Sequence, residues 1–143
     1  MTQTPNPSPA SIRSLWCCGC NTEVLARITS GAEIYPHRRD LHGHSFWRCD
    51  ACGGYVGCHH RHHDQESRQN PLGNIPTAEM RTVRSQIHAI LDPLWKSGKI
   101  ARGTLYERLS ECLGRQFHTG ELRTMDEARI VYREAQQITH EVS

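Results

Sequence analysis

Two pairs of cysteines are the residues in this sequence with the clearest chemical signature. Cys17 and Cys20 are separated by two residues, and Cys49 and Cys52 repeat that spacing further along the chain. A two-residue spacer lets one stretch of chain place both thiolates on a single metal ion, while backbone amides donate hydrogen bonds to the sulfurs. Two such pairs complete the tetrahedral shell of a closed structural zinc site. We therefore predict one structural zinc ion, held by Cys17, Cys20, Cys49 and Cys52.

The residues after each cysteine pair favour the tight turn that such a site needs. Gly53 follows the second pair and Asn21 follows the first. Glycine adopts the left-handed backbone conformation without a steric cost, and asparagine is the next most tolerant residue. We expect both positions to have a positive φ angle.

Three further cysteines have other expected roles. Cys18 lies inside the first pair, where an exchange with Cys17 would give a poorer spacing, and we interpret it as a bystander. Cys58, with His59 beside it, is an alternative ligand or part of a second site. Cys112 falls on the apolar stripe of a helical segment and is expected in a core.

Seven of the ten histidines lie between His37 and His63. One hypothesis is a second, catalytic metal ion held by some of His42, His44, His59, His60, His62 and His63. The plainer interpretation is a polar loop exposed to water. His62 and His63 lack the helical i, i+4 pairing that is typical of zinc-dependent proteases, and no glutamate lies between the spaced histidines. This absence favours the loop.

The overall composition limits the possible partners and compartments. Lysine and arginine number 17 against 15 acidic residues, so the balance does not indicate nucleic acid or a charged membrane surface. Residues 1–11 have no basic and apolar signal pattern, and no segment is apolar enough to span a bilayer. We therefore expect a cytoplasmic protein without a membrane partner, where clustered cysteines bind metal instead of forming disulfides.

The order of elements changes after the cysteine-rich half. Alternating apolar residues over 24–28 predict a strand, with residues 32–35 as a possible partner strand after the Ser30-Gly31 turn. Helical spacing predicts a helix behind Pro76-Thr77 that Pro93 should end or kink. A second helix is expected over 104–113, with Gly114 as its stop. A third is expected behind the capping box formed by Thr124 and Glu127.

These elements predict the α+β class, with a small zinc-ribbon-like β module followed by a three-helix unit. The first half has too few large apolar residues to be stable without a metal ion. The predicted divisions are a mobile tail at 1–11, the zinc module at 12–58, a linker or loop at 59–75 and the helical unit at 76–143.

Several segments resemble a family of small phage and prophage proteins that carry a zinc-finger-containing domain of unknown function. The resemblance is carried by residues 31–37 (GAEIYPH) and 46–59 (FWRCDACGGYVGCH). It continues through residues 71–73, 92–96 and 118–120, and so covers most of the chain from about residue 15. It implies that the two cysteine pairs bind zinc and, for a phage-encoded protein, the cytoplasm of a bacterial host cell. It implies no particular activity.

We predict a zinc-binding accessory protein that binds DNA or RNA through the face of its ribbon. The candidate contacts are Arg38, Arg39 and Arg48 with phosphates, and Trp47 or Tyr35 stacked on bases. In the alternative interpretation the aromatic residues fill the core of the ribbon and the arginines are ordinary surface. A second hypothesis is a module that docks on a host or phage protein, and a third is a metal-dependent nuclease that uses the histidines. No other catalytic motif stands out, so the sequence does not favour an enzyme.

Overall fold

The structure is a computed structural model that describes residues 11–61, 63, 64 and 67–143. The chain divides into two compact units, with the division between Pro76 and Thr77. A four-stranded antiparallel sheet forms the first unit, and the second unit consists of helices. This arrangement confirms the predicted α+β class. The tail predicted at residues 1–11, apart from Ser11, lies outside the described residues, as does His62.

The sheet consists of two hairpins, and its strands have the same order in space as in the chain. They are β1 (Ile12–Cys17), β2 (Thr22–Ser30), β3 (Ser45–Arg48) and β4 (Tyr55–Gly57). The turn after β1 contains Asn21 at φ 55°, and the turn after β3 contains Gly53 at φ 80°, as predicted. Cys17 pairs with Thr22, and β3 runs antiparallel to β2, so both turns lie at the same end of the sheet.

The segment predicted as the second strand of a hairpin is instead a short helix, α1 (Gly31–Ile34). The neighbours of β2 are β1 and β3. The N–H of Gly31 donates to the carbonyl of His44 at 2.9 Å, and a Cβ on Gly31 would lie 1.8 Å from the carbonyl oxygen of Leu41. Only glycine allows this close approach, which turns the chain away from the sheet.

The end of the predicted linker packs against both edges of the sheet. The N–H of Leu72 donates to the carbonyl of Gly57 in β4 at 2.9 Å. The N–H of Ile75 donates to the carbonyl of Trp16 in β1 at 2.9 Å, and Ile75 is fully buried. These bonds satisfy backbone carbonyl groups of the two edge strands that would otherwise have to form hydrogen bonds with water. Residues 72–75 are therefore structurally part of the zinc module.

The core of the first unit is small. Phe46 is buried apart from its main cluster, whose members are Cys17, Ala26, Trp47, Cys49, Val56, Cys58 and Ile75. Two of these are predicted zinc ligands, and Trp47 is the single large aromatic residue among them. A core of this size stabilises a module only weakly, so the metal site has to contribute to folding.

The second unit contains three long helices, as predicted. They are α2 (Ala78–Lys96), α3 (Arg102–Leu113) and α4 (Met125–Glu141). The hydroxyl of Thr77 accepts from the N–H of Met80 at 3.0 Å, and that of Thr124 accepts from the N–H of Glu127 at 3.2 Å. Gly114 ends α3 in the left-handed conformation at φ 82°. The caps therefore lie where the sequence placed them.

Helix α2 continues through Pro93, contrary to the expectation that the helix would end there. Ser97 still donates to the carbonyl of Pro93 at 3.0 Å, so the last turn is intact. Pro93 has no N–H to donate to the carbonyl of Ala89, four residues earlier. Both residues are exposed, so this carbonyl can bond to water instead. Packing of Leu91 and Leu94, both buried, holds the helix on either side of it.

The helical unit has an apolar core of its own. Its fully or almost fully buried side chains are Met80, Ile87, Leu91, Leu94, Leu105, Leu109, Phe117, Leu122, Ala128, Val131, Ala135 and Ile138. Cys112, expected in the core, is half-buried, and its thiol lies 3.1 Å from the carbonyl of Leu109. None of the described helices combines the length and apolar character that crossing a bilayer requires.

We expect the helical unit to remain folded when zinc is removed, because its buried residues include no predicted ligand. Chelation should abolish the near-ultraviolet circular dichroism of the first unit but leave most of the far-ultraviolet helical signal. The measurement is circular dichroism of the full chain before and after treatment with a chelator. Complete loss of the helical signal would show that the two units fold only together.

Candidate metal centre

The four predicted ligands form one compact cluster of sulfur atoms. The Sγ atoms of Cys17, Cys20, Cys49 and Cys52 all lie within 4.8 Å of one another. Those of Cys17 and Cys52 are 3.4 Å apart, and those of Cys20 and Cys49 are 3.7 Å apart. A tetrahedral zinc ion with Zn–S bonds of about 2.3 Å requires sulfur–sulfur distances of about 3.8 Å. The number, type and spacing of these donors therefore fit one structural zinc ion.

Backbone amides in the second turn support the sulfur cluster. The N–H of Gly54 points to Cys52 Sγ at 3.4 Å, and Cys49 and Gly54 are also joined by a backbone hydrogen bond of 2.8 Å. Burial raises the pKa of Cys49, but hydrogen bonds from the backbone N–H groups of Cys52 and Ala51 outweigh it, and the net shift is downward. These amides favour the thiolate, which is the form that binds a metal.

The first pair shows why the cluster needs a cation. Burial raises the pKa of the Cys17 thiol to about 12. Four thiolates in contact repel one another, so without a metal ion some of them must keep their protons. Zinc replaces these protons with two positive charges. Because only the folded module brings the four sulfurs together, metal binding is coupled to folding.

A glycine and an isoleucine close one side of the metal centre. A Cβ on Gly54 would lie 3.0 Å from Ile75 Cγ2 and 3.3 Å from Cys52 Sγ. The absence of a side chain at position 54 lets Ile75 pack against the second turn. Ile75 thereby shields the site from water on that side, which gives a role to the return of the end of the predicted loop to the sheet.

A family model for a zinc-finger-containing domain matches residues 13–140. The chain belongs to this family. Comparison with curated proteins and with solved structures finds no match. Membership in the zinc-finger-containing family and the four-sulfur geometry support the same cofactor, a single structural zinc ion.

The two alternative cysteine ligands lie outside the cluster of this zinc-finger-containing domain. Cys18 does not belong to the group of sulfurs, although it is between Cys17 and Cys20 in the sequence. Cys58 is buried, and its thiol donates to the carbonyl of Gln69 at 3.5 Å. Burial raises the pKa of the Cys58 thiol to about 11, and Cys58 is not among the four clustered sulfurs.

The described histidines do not assemble a second metal site. Within the part of the chain that the structure describes, only the four cysteines form a group of three or more metal-binding side chains. The rings of His44 and His60 instead stack on each other, with their centroids 4.4 Å apart and their planes at 26°. A catalytic metal ion bound by the histidine cluster therefore has no support in the described geometry.

The predicted phosphate contact Arg48 belongs to a network of ion pairs on the sheet. Its Nη1 donates to Glu33 Oε1 at 2.7 Å, and Arg27 donates to Glu33 and, through Nε at 2.6 Å, to Asp50. Hydrogen bonds from Arg27, then Thr29 and Arg48, lower the pKa of Glu33 to about 2. Glu33 thus remains ionised at physiological pH, and the charge of Arg48 is largely neutralised.

The remaining predicted nucleic-acid contacts have different surroundings. Arg38 pairs with Asp40 at 2.7 Å, and both side chains are exposed. Arg39 is exposed at the start of the 3-10 turn Arg39–Leu41. The hydroxyl of Tyr35 lies 2.6 Å from that of Tyr55, within a cluster of edge-to-face aromatic rings.

The prediction that Trp47 could stack on a base is wrong for this fold. Its side chain is fully buried, and its Nε1 donates to the carbonyl of Gln69 at 2.6 Å. The guanidinium of Arg13 lies over its ring at 5.1 Å. Trp47 is therefore a core residue, as the alternative interpretation of the sequence proposed.

The stacked histidines line a polar cleft that the sequence did not reveal. The cleft has a volume of about 280 Å³. Its lining residues are Gly43, His44, Ser45, His60, Arg68 and Gln69. A second depression of about 340 Å³ adjoins it, shares His60 and includes His59, Arg61 and Leu72. We call this pair of depressions the histidine cleft. Residues separated by many positions form it, so no local motif could have indicated it.

Proposed function

We propose that this zinc-finger-containing domain binds DNA or RNA, without strong sequence preference, through the histidine cleft. The observation that carries the proposal is the stacked pair of His44 and His60 in one cleft with Arg68. Imidazole and guanidinium groups donate hydrogen bonds to phosphate oxygens. Histidine and arginine planes also stack on unpaired bases.

The distribution of charge favours this cleft over the ribbon face that carries Arg48. The arginines on that face are matched by Glu33 and Asp50. No carboxylate lines the histidine cleft among the described residues. Two acids are close to Arg68 in the sequence, Asp64 and Glu66. The carboxylate of Asp64 accepts from the hydroxyl of Ser67 at 3.1 Å. Arg39 remains a secondary contact in this proposal, whereas Arg38, which pairs with Asp40, is not assigned a contact.

The zinc ion would act by positioning the cleft. Cys49 and Cys52 lie in the turn that joins β3 and β4, whereas His44 and His60 flank the opposite end of the same hairpin. Phe46 pairs with Gly57 next to the histidines. A metal ion that fixes the turn therefore stabilises the strands that hold the two rings together.

The proposed biological role and compartment are based on the resemblance to phage and prophage proteins. We propose a phage-type accessory protein in the cytoplasm of a bacterial cell, with nucleic acid as its partner and no catalytic activity of its own. Docking on a host or phage protein is the second candidate. The groove described in the next subsection is the feature that favours it.

We expect the full, zinc-loaded chain to bind labelled oligonucleotides with modest affinity that falls steeply with salt, because each neutralised phosphate releases counterions. Replacing His44 and His60 together with alanine should weaken binding about tenfold, and Arg68→Ala should do so by a similar factor. The matched control is Arg38→Ala, since this exposed arginine does not line the histidine cleft. Its effect should stay within about twofold.

Fluorescence anisotropy with single- and double-stranded probes at low salt provides the measurement, and zinc analysis checks that each variant is intact. Binding that is lost in Arg38→Ala but retained in the histidine variant would contradict the assignment of the cleft. Absence of binding to both probes would reject nucleic acid as the partner. Metal-dependent cleavage of a probe would show that the protein is an enzyme.

A further inference from the structure

A second surface, on the helical unit, has a groove that the proposed nucleic-acid binding does not use. It lies between α2 and α4 and has two adjoining parts of about 480 Å³ and 280 Å³. Tyr132 and Gln136 line both parts. The parts therefore form one continuous groove, which we call the α2–α4 groove.

The floor of the α2–α4 groove is mainly apolar. Val83, Ile90, Pro93 and Leu94 come from α2, and Tyr132 comes from α4. Val83, Ile90 and Tyr132 are half-buried, so each presents part of its surface to the groove. From Val83 to Leu94 the groove follows α2 for about 16 Å, or three helical turns. This length matches the apolar face of a short helix.

The rim of the groove is basic. Lys99 lines one end, and Arg129 and Arg133 line the other. No carboxylate lines either part among the described residues. Arg129 pairs with Asp126 at 3.1 Å, but both side chains are largely exposed, and such a pair is weak. An apolar floor between cationic ends is complementary to an apolar stripe flanked by acidic side chains.

We propose that the α2–α4 groove binds an acidic amphipathic helix of a partner protein. Apolar side chains of that helix, spaced at i, i+3 or i+4, and i+7, would cover Ile90 and Tyr132. Its Asp and Glu residues would pair with Lys99 and Arg133. The charge complementarity selects this occupant over a basic segment, and the apolar floor selects it over a nucleic-acid strand.

The test uses a labelled 18-residue peptide with leucines at helical spacing and Asp or Glu on both flanks. A second peptide keeps the leucines but has lysines in place of the acids. We expect saturable binding of the acidic peptide to the full zinc-loaded chain, and at least tenfold weaker binding of the basic one, by fluorescence anisotropy.

Three substitutions locate the binding surface. Arg133→Glu should weaken binding of the acidic peptide about tenfold, because it reverses a charge on the rim. Ala89→Trp should also weaken binding of the acidic peptide, because a large ring at this exposed position fills the groove. Lys96→Glu, an exposed charge reversal on α2 outside the groove, is the matched control and should stay within about twofold. Circular dichroism confirms that each variant is folded.

Equal binding of both peptides, binding of neither, or full binding by Ala89→Trp would overturn the proposal. Self-association that Ala89→Trp abolishes would also overturn it, because the occupant would then be a second copy of the chain. Loss of oligonucleotide binding in the histidine variants has no bearing on these results. The two proposals can therefore fail separately.

Discussion

Cys49→Ser is expected to release the zinc ion and unfold the first unit. A serine hydroxyl is a poor substitute for a thiolate, and three sulfurs do not complete the closed shell. Zinc contributes about 10–16 kcal/mol to the folding of small zinc modules, whereas a whole domain is stable by only about 5–15 kcal/mol. Elemental analysis should find less than one zinc per chain. Tryptophan fluorescence should report exposure of Trp47.

Two other cysteines provide matched controls for this result. Cys18 lies between two ligands in the sequence but outside the sulfur cluster, so the Cys18→Ser variant should retain one zinc ion. Cys112→Ser is in the helical unit and should retain it too. Full zinc content in Cys49→Ser, or loss of zinc in Cys18→Ser, would show that the ligands are assigned wrongly.

The second large effect is expected for Trp47→Ala. Removal of a fully buried tryptophan typically costs about 3–5 kcal/mol, because it leaves a cavity as well as losing buried surface. It also leaves the carbonyl of Gln69 without its indole donor. This loss is comparable to the total stability of a small module, so the first unit should melt at a much lower temperature while the helical signal remains.

Thermal unfolding followed by near- and far-ultraviolet circular dichroism measures this effect. Trp95→Ala is the control, since Trp95 is half-buried in α2 and its loss should cost clearly less. If Trp47→Ala kept the melting temperature of the wild type but bound oligonucleotides less well, the ring would have the stacking role that its burial excludes.

The zinc site and the helix ends were predictable because their signals are local. Each cysteine pair lies within four residues, and Asn21 and Gly53 adopt the backbone conformation that their residue types favour. The caps at Thr77 and Thr124 depend on contacts over three residues. Such patterns can be interpreted without knowledge of the rest of the fold.

Features that depend on long-range contacts were not predictable. Residues 31–34 have a composition compatible with a strand, and the approach of Gly31 to Leu41 decides that they leave the sheet. Pro93 is tolerated because packing on both sides of it stabilises α2. The return of Ile75 to β1 spans most of the first unit, and no spacing in the sequence indicates it.

The candidate nucleic-acid residues show the same limit. Adjacent Phe46 and Trp47 are both buried, because opposite faces of β3 are covered, so an alternation rule could not tell core from surface. The carboxylate that neutralises Arg48 comes from Glu33, fifteen positions away in the sequence. His44 and His60 meet only because β3 and β4 pair between them.

X-ray absorption spectroscopy at the zinc edge, on the full chain with its zinc content measured in parallel, tests the central claim most directly. We expect one zinc ion per chain with a single shell of four sulfur atoms at about 2.3 Å. A shell that includes nitrogen at about 2.0 Å would mean that a histidine replaces one of the four cysteines. More than one zinc ion per chain would show that the histidines hold a second metal, and either result would contradict the account.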